Sequence, residues 1–122
     1  MVDINEEIGK ALSGLDCTVC YQYPGDFNGL PAVSFYNLTE RAGFGSDNGE
    51  DIQTGWAQLD IWGDYPKDVG NTALKVHEAM TKAGWTRELS MDIPSTARTQ
   101  EGIETKTNVF HRTMRYVKDF IV

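Results

Sequence analysis

The residues from Gln53 to Gly84 limit what this chain can fold into, because they read as a strand, a turn and a helix in direct succession. Side chains alternate across a strand. Along Thr54–Trp62, Ala57, Leu59 and Ile61 therefore share one face, and Trp56, Gln58, Asp60 and Trp62 share the other. Gly63-Asp64-Tyr65-Pro66 turns the chain, and Pro66 to Ala83 then carries Val69, Ala73, Val76, Met80 and Ala83 along one side of a helix. Asp64 is placed to cap that helix, Pro66 suits its first turn, and Gly84 suits its end. The aliphatic strand face matches a helix-covered core. The opposite face mixes two indoles with a carboxylate and an amide, a composition typical of protein contact surfaces.

The flanking segments supply the rest of a sheet. Ile4, Ile8, Ala11, Leu12 and Leu15 make a helical stripe over Asp3 to Leu15, with Asp3 or Asn5 as its cap. Gly9 and Gly14 weaken that helix by roughly 1 kcal/mol each, so packing must hold it. Thr18–Tyr23 and Ala32–Thr39 predict two strands around the turn residues Pro24 to Gly29. Glu40 to Ile52 predicts a long hairpin loop leading into the Thr54–Trp62 strand. Trp85–Met91 predicts a fourth strand, and Asp92–Gly102 a second exposed loop. Thr105–Val117 fits a helix through Phe110, Met114 and Val117, and a strand by alternation; its β-branched residues favour the strand. The expectation is an α+β fold in the order α-β-β-β-α-β-β. A mostly antiparallel sheet of four to five strands carries two helices packed on one face, and residues 1–122 form one domain. The Trp56/Trp62 face then has no cover from its own chain, and another subunit would supply one.

The net charge of −7 opposes binding to phosphate backbones. The charge is uneven: residues 1–84 hold 5 Lys/Arg against 13 Asp/Glu, while residues 85–122 hold 6 against 5. Arg112, Arg115 and Lys118 resemble a basic patch, but the acidic remainder disfavours a phosphate contact. Hydrophobic content of 40% is that of a globular chain, and no apolar run is long enough for a membrane span. The acidic start Met1-Val2-Asp3-Ile4-Asn5-Glu6-Glu7 lacks the form of a secretion signal, so synthesis and residence in the cytosol are expected. The glycosylation-type triplet Asn37-Leu38-Thr39 then has no meaning.

No catalytic or metal-binding pattern emerges. Cys17 and Cys20 form a C-x-x-C, yet structural zinc needs four ligands, and only His77 and His111 remain as soft donors. The pair also follows a helix and enters a strand, the reverse of the redox motif, so both are read as ordinary half-buried thiols. The Gly43-Phe44-Gly45 stretch fails the spacing of a phosphate loop, and Asp47 to Asp51 is too short for a calcium loop. His77 lies beside the helix stripe with no nucleophile near it in sequence, and reads as structural. An enzyme is not expected, and neither is a cofactor or a metal.

Several phrases, in their order, carry a resemblance. They are Val19-Cys20-Tyr21-Gln22-Tyr23-Pro24, Pro31-Ala32-Val33-Ser34-Phe35-Tyr36 and Ala57-Gln58-Leu59-Asp60-Ile61-Trp62, followed by His77-Glu78-Ala79-Met80 with Gly84-Trp85, and His111-Arg112-Thr113-Met114-Arg115-Tyr116. Across residues 17–117 the chain resembles the tail-completion proteins of long-tailed bacteriophages, also called tail terminators or head-to-tail joining proteins. The resemblance implies a virion structural protein, assembled in the host cytoplasm. Such a protein caps the tail tube as a ring, typically hexameric, and docks to the head connector. Its partners would be further copies of itself, the tail tube protein and the connector or stopper protein, with DNA passing through unbound. It transfers no active-site residues. Within such a ring, Trp56, Gln58, Asp60 and Trp62 are candidate subunit contacts. Asp47, Glu50 and Asp51 are candidates to face the channel, where acidic lining lets a duplex slide. The alternative is a small oligomeric binding or regulatory module.

Overall fold

A computed structural model describes residues 1–22, 30–43, 52–100 and 103–121, without the side chains of 43, 95–100 and 103–108. Seven elements follow one another as α1 (Ile4–Leu12), β1 (Thr18–Tyr21), β2 (Ala32–Gly43), β3 (Ile52–Gly63), α2 (Pro66–Lys82), β4 (Thr86–Gln100) and β5 (Ile103–Ile121). This is the expected α+β order. The sheet runs β1-β2-β3-β5-β4, so the Thr54–Trp62 strand lies at its centre as part of β3. β1 pairs with β2 in parallel, and every other pairing is antiparallel.

Both helices cover the same face. Ile4, Ile8 and Leu12 of α1 and Val69, Ala73, Val76 and Met80 of α2 pack on Val33, Ala57, Leu59, Ile61, Met114 and Tyr116 of the sheet. Gly55 lets α1 come close: a Cβ there would lie 2.7 Å from Ile4 Cδ1. α1 starts at Asp3, whose carboxylate accepts from the Glu6 N–H at 3.3 Å. It ends before Leu15 because Ser13 turns its hydroxyl back onto the Lys10 carbonyl at 2.8 Å and Gly14 follows.

α2 departs from expectation at its start and meets it at its end. Its N-cap is Tyr65, whose side chain makes no capping hydrogen bond. Asp64 stands one residue too early, because β3 continues through Gly63 and leaves Tyr65 as the extended residue before the helix. At the far end Gly84 has φ +93°, the Trp85 N–H reaches the Met80 carbonyl at 3.0 Å, and the Gly84 N–H reaches that of Thr81 at 3.0 Å. That pair of bonds is a Schellman stop.

The strands outrun their predicted limits. The expected exposed loop at 92–102 is a strand as far as Gln100, because Thr96 to Gln100 pair with β5. Pro94 does not end it, since it falls in the register break between Ile93 and Thr96, where a missing N–H costs no ladder bond. Likewise Glu40 to Gly43 belong to β2, paired with Ile52 to Gly55 of β3, which shortens the predicted loop. Thr105–Val117 is strand, as its β-branched residues favour. The predicted turn at Pro24–Gly29 and the loop acids Asp47, Glu50 and Asp51 lie outside the described residues.

Candidate functional site: the helix-free face of the sheet

Residues directly opposite in a sheet share a face, so the pairing register lays out the surface on the side away from the helices. Four rows cross it. Ala32, Trp62, His111 and Ile93 form one row, followed by Ser34, Asp60, Thr113 and Met91. Next come Tyr36, Gln58, Arg115 and Leu89, and then Thr39, Trp56, Val117 and Thr86. Trp56, Gln58, Asp60 and Trp62 are therefore brought together in the middle of one face. Among the described residues no helix or second sheet lies over it, because α1 and α2 both pack on the other side.

The four side chains differ in what they leave open. Trp62 is only 8% exposed. Its indole stacks on the His111 ring with centroids 3.8 Å apart and planes 14° apart, and its Nε1 donates to Ser34 Oγ at 3.0 Å. The expectation that Trp62 lacks a cover within its own chain is thus corrected: the strands on either side reach across and shield it. Asp60 lies 2.7 Å through Oδ1 from His111 Nε2, both side chains mostly buried. The Gln58 amide donates to the Thr113 hydroxyl. Trp56 remains partly open, with the Arg41 guanidinium 5.7 Å from its ring. Partly or fully exposed Tyr36, Leu38, Leu89 and Met91 surround this area on β2 and β4. Trp62, Asp60 and Gln58 therefore form a pre-satisfied polar cluster within a more accessible apolar and aromatic margin, which suits a contact surface better than a reaction centre.

Other groups that sequence singles out are accounted for elsewhere. Burial pushes the Cys20 and Cys17 thiols up, with the Asp16 carboxylate adding to the effect at Cys17. That favours the thiol form, the reverse of what a nucleophile or metal ligand requires. Cys20 Sγ instead donates to the Val33 carbonyl at 3.6 Å, and both cysteines are free. His77 Nδ1 lies 2.9 Å from the Tyr116 hydroxyl, which burial pushes up to about 12. His111 is joined to Asp60, while Ser34 is joined to Trp62, so Ser34, His111 and Asp60 do not form a nucleophile relay. Among the described residues, no group of three His, Cys, Asp or Glu side chains has a metal-holding arrangement. Arg112 pairs with Asp92 at 2.8 Å and Lys118 donates to the Ala83 carbonyl at 2.6 Å, whereas Arg115 points to the opposite face from both; the three do not make a patch.

No family model and no curated protein matches the chain. Among solved structures it is similar to a chain from the "Virion of native gene transfer agent (GTA) particle", with a TM-score of 0.53 and 13% identity. The match covers 94% of this chain and 84% of that one. The two share a fold.

Tyr36, Leu89 and Met91 were not among the contact residues expected from sequence, and Arg115 was considered there only for a basic patch. They lie on β2, β4 and β5, and only the register with β3 shows that they share its outer face.

Proposed function

We propose that this protein is a structural component of a phage-type virion, without enzymatic activity, that closes the tail tube as a ring and joins it to the head connector. The observation that carries this is the helix-free face. A central sheet surface bearing Trp56 and ringed by Tyr36, Leu38, Leu89 and Met91 has no covering layer of its own among the described residues. The likeness of fold to a chain of a gene transfer agent virion supports the same assignment, as do the tail-completion phrases in the sequence.

In this role the sheet face meets the next subunit, and closure of the ring follows from the rotation that each head-to-tail contact imposes. The tail tube and the connector take the two open ends of the ring. Asp47, Glu50 and Asp51 are assigned to the channel, because like charge keeps the transiting duplex from adhering. A cryo-EM map with those three residues on the outer rim would remove that assignment.

Native mass spectrometry with negative-stain imaging, on the chain alone and with tail tubes, tests the ring. A closed ring, free or seated on a tube, is expected. Trp56→Ser should weaken its formation about tenfold or more, the usual scale for truncating an aromatic anchor. A discrete dimer that ignores tail tubes would favour a small binding module instead.

A further inference from the structure

Two stretches of strand lack a neighbour, and they belong to opposite ends of the sheet. β3 stops pairing with β5 where Gly63 faces Phe110, whereas β4 and β5 stay paired beyond that point, from Thr96 opposite Val109 out to Gln100 opposite Ile103. They form a two-stranded arm past the end of β3. The inner margin of that arm, residues 103–108 of β5, has no third strand among the described residues. The other stretch is residues 38–43 of β2, an equal length of chain that runs on past β1 and past the Asn5 side chain bonded to the Asn37 N–H.

Neither stretch can serve the other within one copy. Residues 39–43 pair with Trp56 to Ile52 of β3, so at about 3.3 Å per residue their margin lies roughly 23–36 Å along the strand from Gly63. The arm starts at the Gly63 end, and its unpaired stretch is only about 20 Å long at the same rise. A two-stranded ribbon is marginally stable in water and gains when a third strand joins it. Residues 95–108 contain four threonines and, as their single large apolar residue, Ile103. Such a segment favours extended backbone without offering an apolar stripe to bury, so main-chain pairing is what it has to give. The β2 margin, with its row of unpaired N–H and C=O groups, is what such a strand pairs with.

We propose that the arm of one copy adds residues 103–108 as a strand alongside residues 38–43 of the next copy, so that one sheet runs through the subunit boundary. The occupant is a second copy because this chain carries both halves of the contact, matched in length, at positions that keep them apart within one molecule. Each copy then gives a strand at one end and receives one at the other, which makes the contact head-to-tail. This contact rests on the ring assignment above and adds main-chain pairing to the meeting of sheet faces.

Hydrogen–deuterium exchange read by mass spectrometry tests it on the wild-type chain, as a dilute monomer and as the assembly formed at high concentration or on tail tubes. Amides of residues 38–43 and 103–108 should both exchange at least tenfold more slowly in the assembly. A chain with residues 95–108 replaced by an Asn-Gly turn keeps the β2 margin but has no arm. In sedimentation velocity it should stay monomeric alone, and when mixed with wild type it should cut the yield of closed rings, because it receives a strand and passes none on. Protection of residues 38–43 without residues 103–108 would indicate pairing of two β2 margins and overturn the proposal, as would undiminished assembly of the armless chain. Rings in which both stretches exchange at the monomer rate would overturn the strand exchange while leaving the ring assignment standing. A wild type that stays monomeric up to millimolar concentration, with and without tail tubes, would overturn both.

Discussion

Tyr116 shows how one buried hydroxyl sets a limit on the pH at which the fold survives. It lies in the core, fully shielded, with its hydroxyl 2.9 Å from His77 Nδ1, and burial pushes its pKa from 10 up to about 12. The folded state therefore keeps the proton where the unfolded chain begins to release it. Above pH 10 the unfolded state binds fewer protons, so stability falls as pH rises and goes on falling to about 12. The loss should be on the order of 2 kcal/mol over that window. Tyr116→Phe should cost about 1 kcal/mol at neutral pH, from the lost contact with His77. It should then show a flatter decline above pH 10. Urea unfolding at a series of pH values measures both curves, and parallel curves would contradict this account.

Among the elements, β3 and α2 were the most legible in sequence. Each has an unbroken periodic stripe and a strong stop, and the stop at Gly84 is a real left-handed residue. β4 and β5 were less so. Pro94 and the Ser-Thr-rich stretch after it mimic a loop, and only partnership across the hairpin, which sequence does not display, turns them into strand. The α2 cap misled for a smaller reason, a single-residue extension of β3 that takes Asp64 out of position. Gly55 was also unreadable, as a glycine in a strand gives no sign of what passes over it. Because Ile4 sits on it, Gly55→Ala should lower stability by about 1–3 kcal/mol through overcrowding. The companion change Ile4→Val should relieve part of that loss, and chemical denaturation of the double variant measures the coupling.

For the whole molecule, the alternation of β3 revealed that one face would be unusual, and the register shows how the neighbouring strands modify it. Trp56 stays accessible, while Trp62 is shielded by His111 and Ser34, residues far away in sequence. Charge acts at this scale as well. With the acid surplus confined to residues 1–84 and near balance beyond, contacts between copies should be steered electrostatically. Raising ionic strength from low to physiological should slow association more than it speeds dissociation, which stopped-flow light scattering resolves.

β1 is four residues long and lies only along the first part of β2, while β2 runs for twelve. The Asn5 side chain accepts the Asn37 N–H at 2.7 Å just past the end of β1, and from Leu38 to Gly43 that margin of the sheet has no neighbouring strand among the described residues. At the far margin, β4 is interrupted by three register breaks and by Pro94. Sheet growth is thus invited on one side and discouraged on the other. A strand pairing with this sheet from outside would therefore add along Leu38–Gly43 and not along β4.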